Sequence, residues 1–291
     1  MNEKKFDLLV LPTVPNMQQV IDRFPFPIAL TKGQFKNLEI VFQNGQVTAT
    51  HKGVDLRDFS LVWLCSYWKS RDLAYAMRLY LKHNNTPSTN VEKSTSKLTD
   101  HMLFSLNGVT SPDTLFIGHS DIKKCLVQIQ NVCGYPLIIK DTKGTRGAHV
   151  MKIESEEDLL VKAKDLPKHK KFLFQKYIHN KYDWGIMVAN GTVVSGEKSY
   201  SCEGEFRNNA CNGAKEVFVD PNDIPQIIKQ MALDASKALG LSWSRSDIII
   251  DEHTQKPYVL EVNRLPGITP KTSEVEGAYA FLSSQVAPLV G

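Results

Sequence analysis

Hydrophobic and polar positions along the chain switch repeatedly between a strand pattern and a helix pattern. The runs "FDLLVL" (6–11), "SLVWLC" (60–65), "PLIIK" (136–140) and "KFLFQKYI" (171–178) are of strand length and almost wholly apolar, as in buried strands. "LEIVFQNGQVTAT" (38–50) divides into two strands around Asn44-Gly45, a hairpin turn signal, and "DWGIMVANGTVVSGEKS" (183–199) does the same around Asn190-Gly191. "GAHVMKI" (147–153) reads as the hairpin partner of 136–140, and "DIII" (247–250) with "YVLEVN" (258–263) as a last hairpin. Helical spacing appears at 70–84, with Leu73, Ala76, Met77 and Tyr80 on one stripe. It recurs at 223–239, with Ile228, Met231, Ala232, Ala235 and Leu239 on one face and Gly240 as the stop. Further helices are predicted at 97–107, closed by Asn107-Gly108, and at 120–132, capped by Ser120 and stopped by Gly134. Another spans 156–165, opened by Ser155 with Asp158.

The polar, turn-rich stretch "TPSTNVEKSTS" (86–96) is the best boundary in the chain. Before it, strand, hairpin, strand and helix describe a small α/β unit over 1–95. After it, strands come mostly as hairpins, which favours antiparallel sheets with helices on one face, an α+β layout. A central unit over 96–178 and a C-terminal unit over 179–291 follow. No internal repeat or low-complexity tract interrupts them.

Composition narrows the function classes. With 291 residues, 42% hydrophobic and 23% charged, the chain has the makeup of a soluble globular protein with a sizeable core. A net charge of +4 is too mild for nucleic acid but suits an anionic ligand such as a nucleotide. The basic run Lys168-His169-Lys170-Lys171 reads as a solvated loop. Five cysteines without a CxxC pair, and scattered histidines, argue against a disulfide scaffold or a zinc site and for a reducing, cytoplasmic setting. No apolar run reaches membrane-span length, so no membrane partner is expected.

Two constellations carry chemistry. In the last hairpin, a register that buries Ile248 and Ile250 with Leu260 and Val262 also puts Asp247 on the face of Glu261 and Asn263. Two carboxylates and an amide oxygen would then converge, and such a cluster needs a cation. Oxygen ligands alone suit Mg²⁺. The bland alternative is a set of acids capping a hairpin end in solvent. The second constellation is "PLIIKDTKGTRGAHV" (136–150): Lys140 at a strand end, then a loop containing Gly144 and Gly147 with Lys143 and Arg146. Such a loop can close over phosphates. It is not a Walker A motif, and a mobile hairpin turn is its ordinary reading.

Together these pieces resemble the ATP-grasp superfamily, in the branch of RimK-like glutamate ligases and bacterial glutathione synthetases. The matching pieces, in order, are "STSKLTDHMLF", "YPLIIKDTKGTRGAHV", "FLFQKYI", "DWGIMVANGTVV", "GEFRNNACNGA", "RSDIII" and "LEVNRLPG", over 96–267. The resemblance implies an ATP-grasp fold, two α+β subdomains clamping ATP, preceded by a small α/β pre-ATP-grasp domain. It implies an ATP- and Mg²⁺-dependent ligase (Mn²⁺ being the alternative ion) that joins a carboxylate to an amine through an acylphosphate, on an amino acid or peptide. A nucleotide-binding regulator or scaffold of the same fold is the competing expectation. Relatives are often homo-oligomers.

The resemblance also assigns residues. Lys97 and Lys140 match the phosphate-holding lysines; Gly144, Thr145, Arg146 and Gly147 match the glycine loop. Gln175, Lys176, Tyr177 and Ile178 match the hinge strand whose backbone pairs with adenine, and Asp183 an acid near the ribose. Arg207 and Asn209 match an R-x-N element facing the phosphates and acyl substrate, with Lys140 and Arg207 as catalytic cations. Asp247, Glu261 and Asn263 match the magnesium ligands. The chain departs from the pattern where relatives have D-x-R: it reads Asp183-Trp184-Gly185, so that arginine is missing. Lys198 is an approximate replacement for a second arginine, and H-R-G-G becomes Cys211-Asn212-Gly213-Ala214. Arg146, Arg245 and Arg264 are the candidates for the missing charge.

Overall fold

The computed structural model describes residues 6–93, 96–144, 150–202, 205 and 213–290. The N-terminal part contains β1 (Phe6–Leu11), α1 (Met17–Ile21), β2 (Ile28–Lys32), β3 (Leu38–Gln43), β4 (Gln46–His51), β5 (Val54–Asp55), β6 (Leu61–Leu64) and α2 (Arg71–His83). β1, whose side chains are buried on both faces, lies between β2 and β6 in a parallel sheet; β3–β5 form a separate antiparallel sheet. A parallel sheet needs cover on both faces. One face packs on α2 through Ala74, Met77, Tyr80 and Leu81, which corrects the expected stripe: Ala76 is exposed. The other face packs on the C-terminal helix.

The central part holds α3 (Lys97–Leu106), β7 (Thr114–Phe116), α4 (Leu126–Val132), β8 (Leu137–Asp141), β9 (Val150–Ile153), α5 (Glu156–Lys162) and β10 (Phe172–Lys176). Its antiparallel sheet runs β7-β10-β8-β9. The helix expected from Ser120 is instead a 3₁₀ segment, His119–Cys125, before α4.

The last part holds β11 (Asp183–Ala189), β12 (Thr192–Tyr200), β13 (Lys215–Val219), α6 (Gln226–Ala238), β14 (Trp243–Ile250), β15 (Pro257–Asn263) and α7 (Ser273–Val290). Its five strands run β13-β12-β11-β14-β15, all antiparallel. α6 covers one face with Ile228, Ala232, Ala235 and Leu239. α7 packs toward the other and continues into the N-terminal core, where Trp63, Trp243 and Phe281 meet with ring centroids 5.2–5.6 Å apart. Among the described residues no helix is long and apolar enough to cross a membrane.

The last hairpin departs from the expected register. Asp247 pairs with Glu261, but the next pair is Ile248 with Val259, so Leu260 is the extra residue of a β-bulge. The bulge reverses the face of everything before it. Val259 and Val262 are buried, whereas Leu260, expected in the core, is only partly so.

Candidate active site

One row of the five-stranded sheet carries the candidate chemistry. Glu197, Gly185, Asp247 and Glu261 are consecutive cross-strand partners over β12, β11, β14 and β15. Residues directly opposite share a face, so this row is a line of three carboxylates broken by one glycine. Asn263 lies two residues beyond Glu261, and its amide Nδ2 donates to Asp247 Oδ2 at 3.1 Å. That bond leaves the amide oxygen as the group Asn263 can offer to a ligand.

Two lysines approach from the central part. Lys97, first residue of α3, makes an ion pair with Glu261. Its helix starts on a capping box of Ser96 and Thr99, and its own backbone N–H donates to Thr142 O at 2.9 Å. The end of β8 and the start of α3 are thereby tied together. Lys140, on β8, is buried. Burial, and then Lys97 beside it, pull its ammonium down to about 7, against the opposing influence of Glu261 and Asp247.

The two acids respond oppositely to one environment. Burial, with Glu261 adding repulsion, pushes Asp247 up to about 7 although Arg245 pulls the other way. Burial also acts upward on Glu261, but Lys97, Lys140 and Arg264 outweigh it and hold the carboxyl below its ordinary value. Two half-buried carboxylates paired across a hairpin favour a cation between them. The donors are all oxygen, with no histidine or cysteine, which fits Mg²⁺ rather than zinc.

The missing arginine has a structural counterpart. A Cβ on Gly185 would lie 2.8 Å from Arg245 Cζ. The guanidinium of Arg245 therefore fills the space a side chain at 185 would take, and crosses it to pair with Glu197. It also lies 3.9 Å from Asp247 and 3.7 Å from Glu274. Lys198 does not fill this role. It projects from the opposite face of β12, its ammonium 4.8 Å from the Trp184 ring centre and 4.7 Å from that of Tyr182. Arg264 is likewise committed elsewhere. It is buried, pairs with Glu92 and donates from Nη1 and Nη2 to Asp100 at 2.9 Å each.

The other expected residues fall as follows. Gly144 ends the described part of the loop, its N–H bonded to Asp141 O at 3.1 Å; Thr145, Arg146 and Gly147 lie outside the described residues. So do Arg207, Asn209, Cys211 and Asn212. Gln175 turns its side chain inward to Thr114 Oγ1, at 2.8 Å, and to His101. Lys176 is exposed at the end of β10, and Tyr177 and Ile178 lead into the segment joining the central and C-terminal parts. Asp183 opens β11 and accepts a hydrogen bond from Asn180 at 2.6 Å. The structure thus brings Lys97, Lys140, Asp247, Glu261 and Asn263 together. Sequence reading missed Glu197, Asp100 and Glu92. The spacing Arg245-x-Asp247 beside a glycine for arginine at 185 was the available signal for Arg245 and its partner.

Comparison with known proteins identifies the family and the fold. A model of the RimK-like ATP-grasp domain matches residues 94–282. A probable alpha-L-glutamate ligase of Psychromonas ingrahamii is 32% identical over 189 residues, 64% of this chain and 60% of that protein. The chain therefore spans about three fifths of the length of that relative. Among solved structures, D-alanyl-alanine synthetase A of Vibrio cholerae superposes with a TM-score of 0.71 at 14% identity, over 99% of both chains. The D-alanine–D-alanine ligase of Bacillus anthracis complexed with ATP gives 0.68 at 16% identity, over 98% of this chain and 97% of that one. With the strand row, the two lysines and the match over 94–282, the chain belongs to the RimK-like ATP-grasp family and has the ATP-grasp fold.

Proposed function

We propose that this chain is an ATP- and Mg²⁺-dependent ligase that joins a carboxylate to an amine, with an amino acid or peptide as substrate. The observation that carries the reading is the convergence of Asp247, Glu261 and Asn263 with Lys97 and Lys140. Residues 1–95 form the leading unit, 96–178 the lysine-bearing half of the clamp and 179–291 the acid-bearing half. Of the hinge residues 175–178, Tyr177 and Ile178, which follow the paired part of β10, offer backbone groups to adenine, and Asp183 meets the ribose. Asp247, Glu261 and Asn263 would hold Mg²⁺, which would supply charge neutralisation to the phosphates.

In this reading a substrate carboxylate oxygen attacks the γ-phosphorus of ATP, the bond to the β-phosphate oxygen breaks and ADP leaves. The amine nitrogen then attacks the acyl carbon, inorganic phosphate departs and the nitrogen loses its proton. Lys97 and Lys140 hold the phosphates in line. Lys97 exchanges its bond to Glu261 for one to phosphate. Arg245 lies over Gly185 and offsets charge that the family's absent arginine would meet. By the family resemblance alone, Arg207 and Asn209 are assigned to the phosphates and the acyl substrate, and residues 144–147 to keeping water from the acylphosphate.

The curated relative named for glutamate puts glutamate first among the substrates to test. The experiment is an ADP-release screen over amino acids, small acids and peptides, with product masses read directly. A ligase releases ADP only with both a carboxylate and an amine present. Glu261→Ala should lower that rate by about 10²–10³. Parent-like turnover by Glu261→Ala would overturn the site. ADP release without any joined product would favour the nucleotide-binding regulator instead.

A further inference from the structure

At the turn of the same β14–β15 hairpin that carries Asp247 and Glu261, three ligand-bearing side chains meet on the surface. His179 follows Ile178 in the segment between β10 and β11. Glu252 and His253 form the turn between β14 and β15. One ligand atom from each of the three lies within 4.8 Å of the others, and His253 Nε2 is 3.8 Å from Glu252 Oε1. The two imidazole centroids are 5.5 Å apart.

The backbone under these side chains is fixed. Glu252 N–H donates to His179 O at 2.9 Å, joining the two segments directly. Asp251 Oδ1 accepts from the N–H groups of His253 and Thr254 at 2.8 and 3.2 Å, which shapes the turn. His179 packs edge-on against Tyr177, with centroids 4.8 Å apart, and Tyr177 carries Lys152 4.5 Å from its ring centre on another side. The side chains themselves are exposed, so small torsional changes can close the set. Tetrahedral coordination with metal–nitrogen bonds near 2.0–2.1 Å needs ligand atoms about 3.3 Å apart.

We propose that His179, Glu252 and His253 form a binding site for a borderline-soft divalent cation, Zn²⁺ above all, with an open fourth position. Two imidazoles and one carboxylate select such an ion over Mg²⁺, which prefers oxygen. The site is therefore chemically distinct from the all-oxygen set at Asp247. Its location gives it a consequence. The ion bridges the segment leaving Ile178 to the β14–β15 turn, and so restrains the link between the two halves of the clamp. That consequence rests on the ATP reading; cation uptake does not.

The test uses the tag-free full chain carrying Cys202→Ser and Cys211→Ser, so that neither thiol competes for the ion, titrated with Co²⁺ in excess Mg²⁺. One equivalent should bind with a visible d–d band of four-coordinate character, and Zn²⁺ should displace it. His179→Ala and His253→Ala should each weaken binding by more than about tenfold. Glu252→Gln should weaken it while leaving the fold unchanged by circular dichroism. An unaltered band in the His179→Ala/His253→Ala double variant would overturn the proposal. So would uptake weaker than about 1 mM in the parent chain. Failure of the ligase assay would leave this result untouched, because no turnover is read.

Discussion

Arg264 sets both terminal nitrogens of its guanidinium on the carboxylate of Asp100, at 2.9 Å each. The pair joins the end of β15 to α3, one turn beyond Lys97, while Arg264 also pairs with Glu92 and Lys97 reaches back to Glu261. Two ion pairs thus stitch the same helix to the same strand. Arg71 stands beside them, 3.5 Å from Glu92 and 3.9 Å from Asp100, with Trp68 3.4 Å under its guanidinium.

Arg264 and Asp100 are both buried, so removing either breaks a bidentate pair in a desolvated place, with Glu92 still beside Arg264 and Arg71 still beside Asp100. Arg264→Ala or Asp100→Ala should cost about 3–5 kcal/mol in urea unfolding. The Arg264→Met/Asp100→Leu double variant should lose less than the two single losses combined. A loss below about 1 kcal/mol for either single variant would show that the pair is not desolvated as described.

Gly185→Ala tests the place of Arg245. The added methyl would collide with the guanidinium, so the arginine has to leave its position over residue 185. On the proposed ligase reading, ADP release should fall on the order of 10²-fold, and Arg245→Ala should lower it similarly. Combining the two should add little, since they remove one interaction. Additive losses in ADP release would mean that the glycine and the arginine act separately.

Much of this was legible in the sequence, for reasons particular elements make plain. Asn44-Gly45 and Asn190-Gly191 fix hairpins locally, and both formed, with positive φ at all four residues. The acids at 247 and 261 were placed on one face because a strand period of two leaves no alternative near the pairing point. Leu260 was misplaced because a bulge is decided by packing across the sheet, not by the period within one strand. Arg264 and Asp100 are 164 residues apart. No periodicity reports a contact of that range.

His101 gives a pH prediction. It is buried in α3, beside Gln175. Burial, with Lys140 and Lys97 adding repulsion, holds its pKa well below the ordinary 6.5. The unfolded chain takes up a proton near 6.5 that the folded chain refuses. Stability from this group is therefore complete above that value and declines as pH falls through and below it. His101→Gln should flatten the acid side of the stability profile between about pH 6.5 and 5. An unchanged slope in denaturant titrations would count against it.

The cysteines should separate by reactivity. Burial pushes the Cys65 thiol up to about 12 and the Cys133 thiol up to about 11, so neither offers thiolate near neutrality. Cys202 is exposed. In a Cys211→Ser background, Cys202 should react with an aromatic disulfide reagent first. Cys65 and Cys133 should react only as the chain unfolds. Prompt labelling of Cys65 in the native protein would show that β6 is not sealed.

The aromatic contact between Trp63 and Trp243 has an optical meaning. Their rings stand at 84° to one another with centroids 5.6 Å apart, one from the leading parallel sheet and one from the acid-bearing sheet. Indoles so close and so crossed couple electronically. Near-ultraviolet circular dichroism of the native protein consequently carries a signal that exists only while those two sheets are joined, an indicator of their docking already written into the chain.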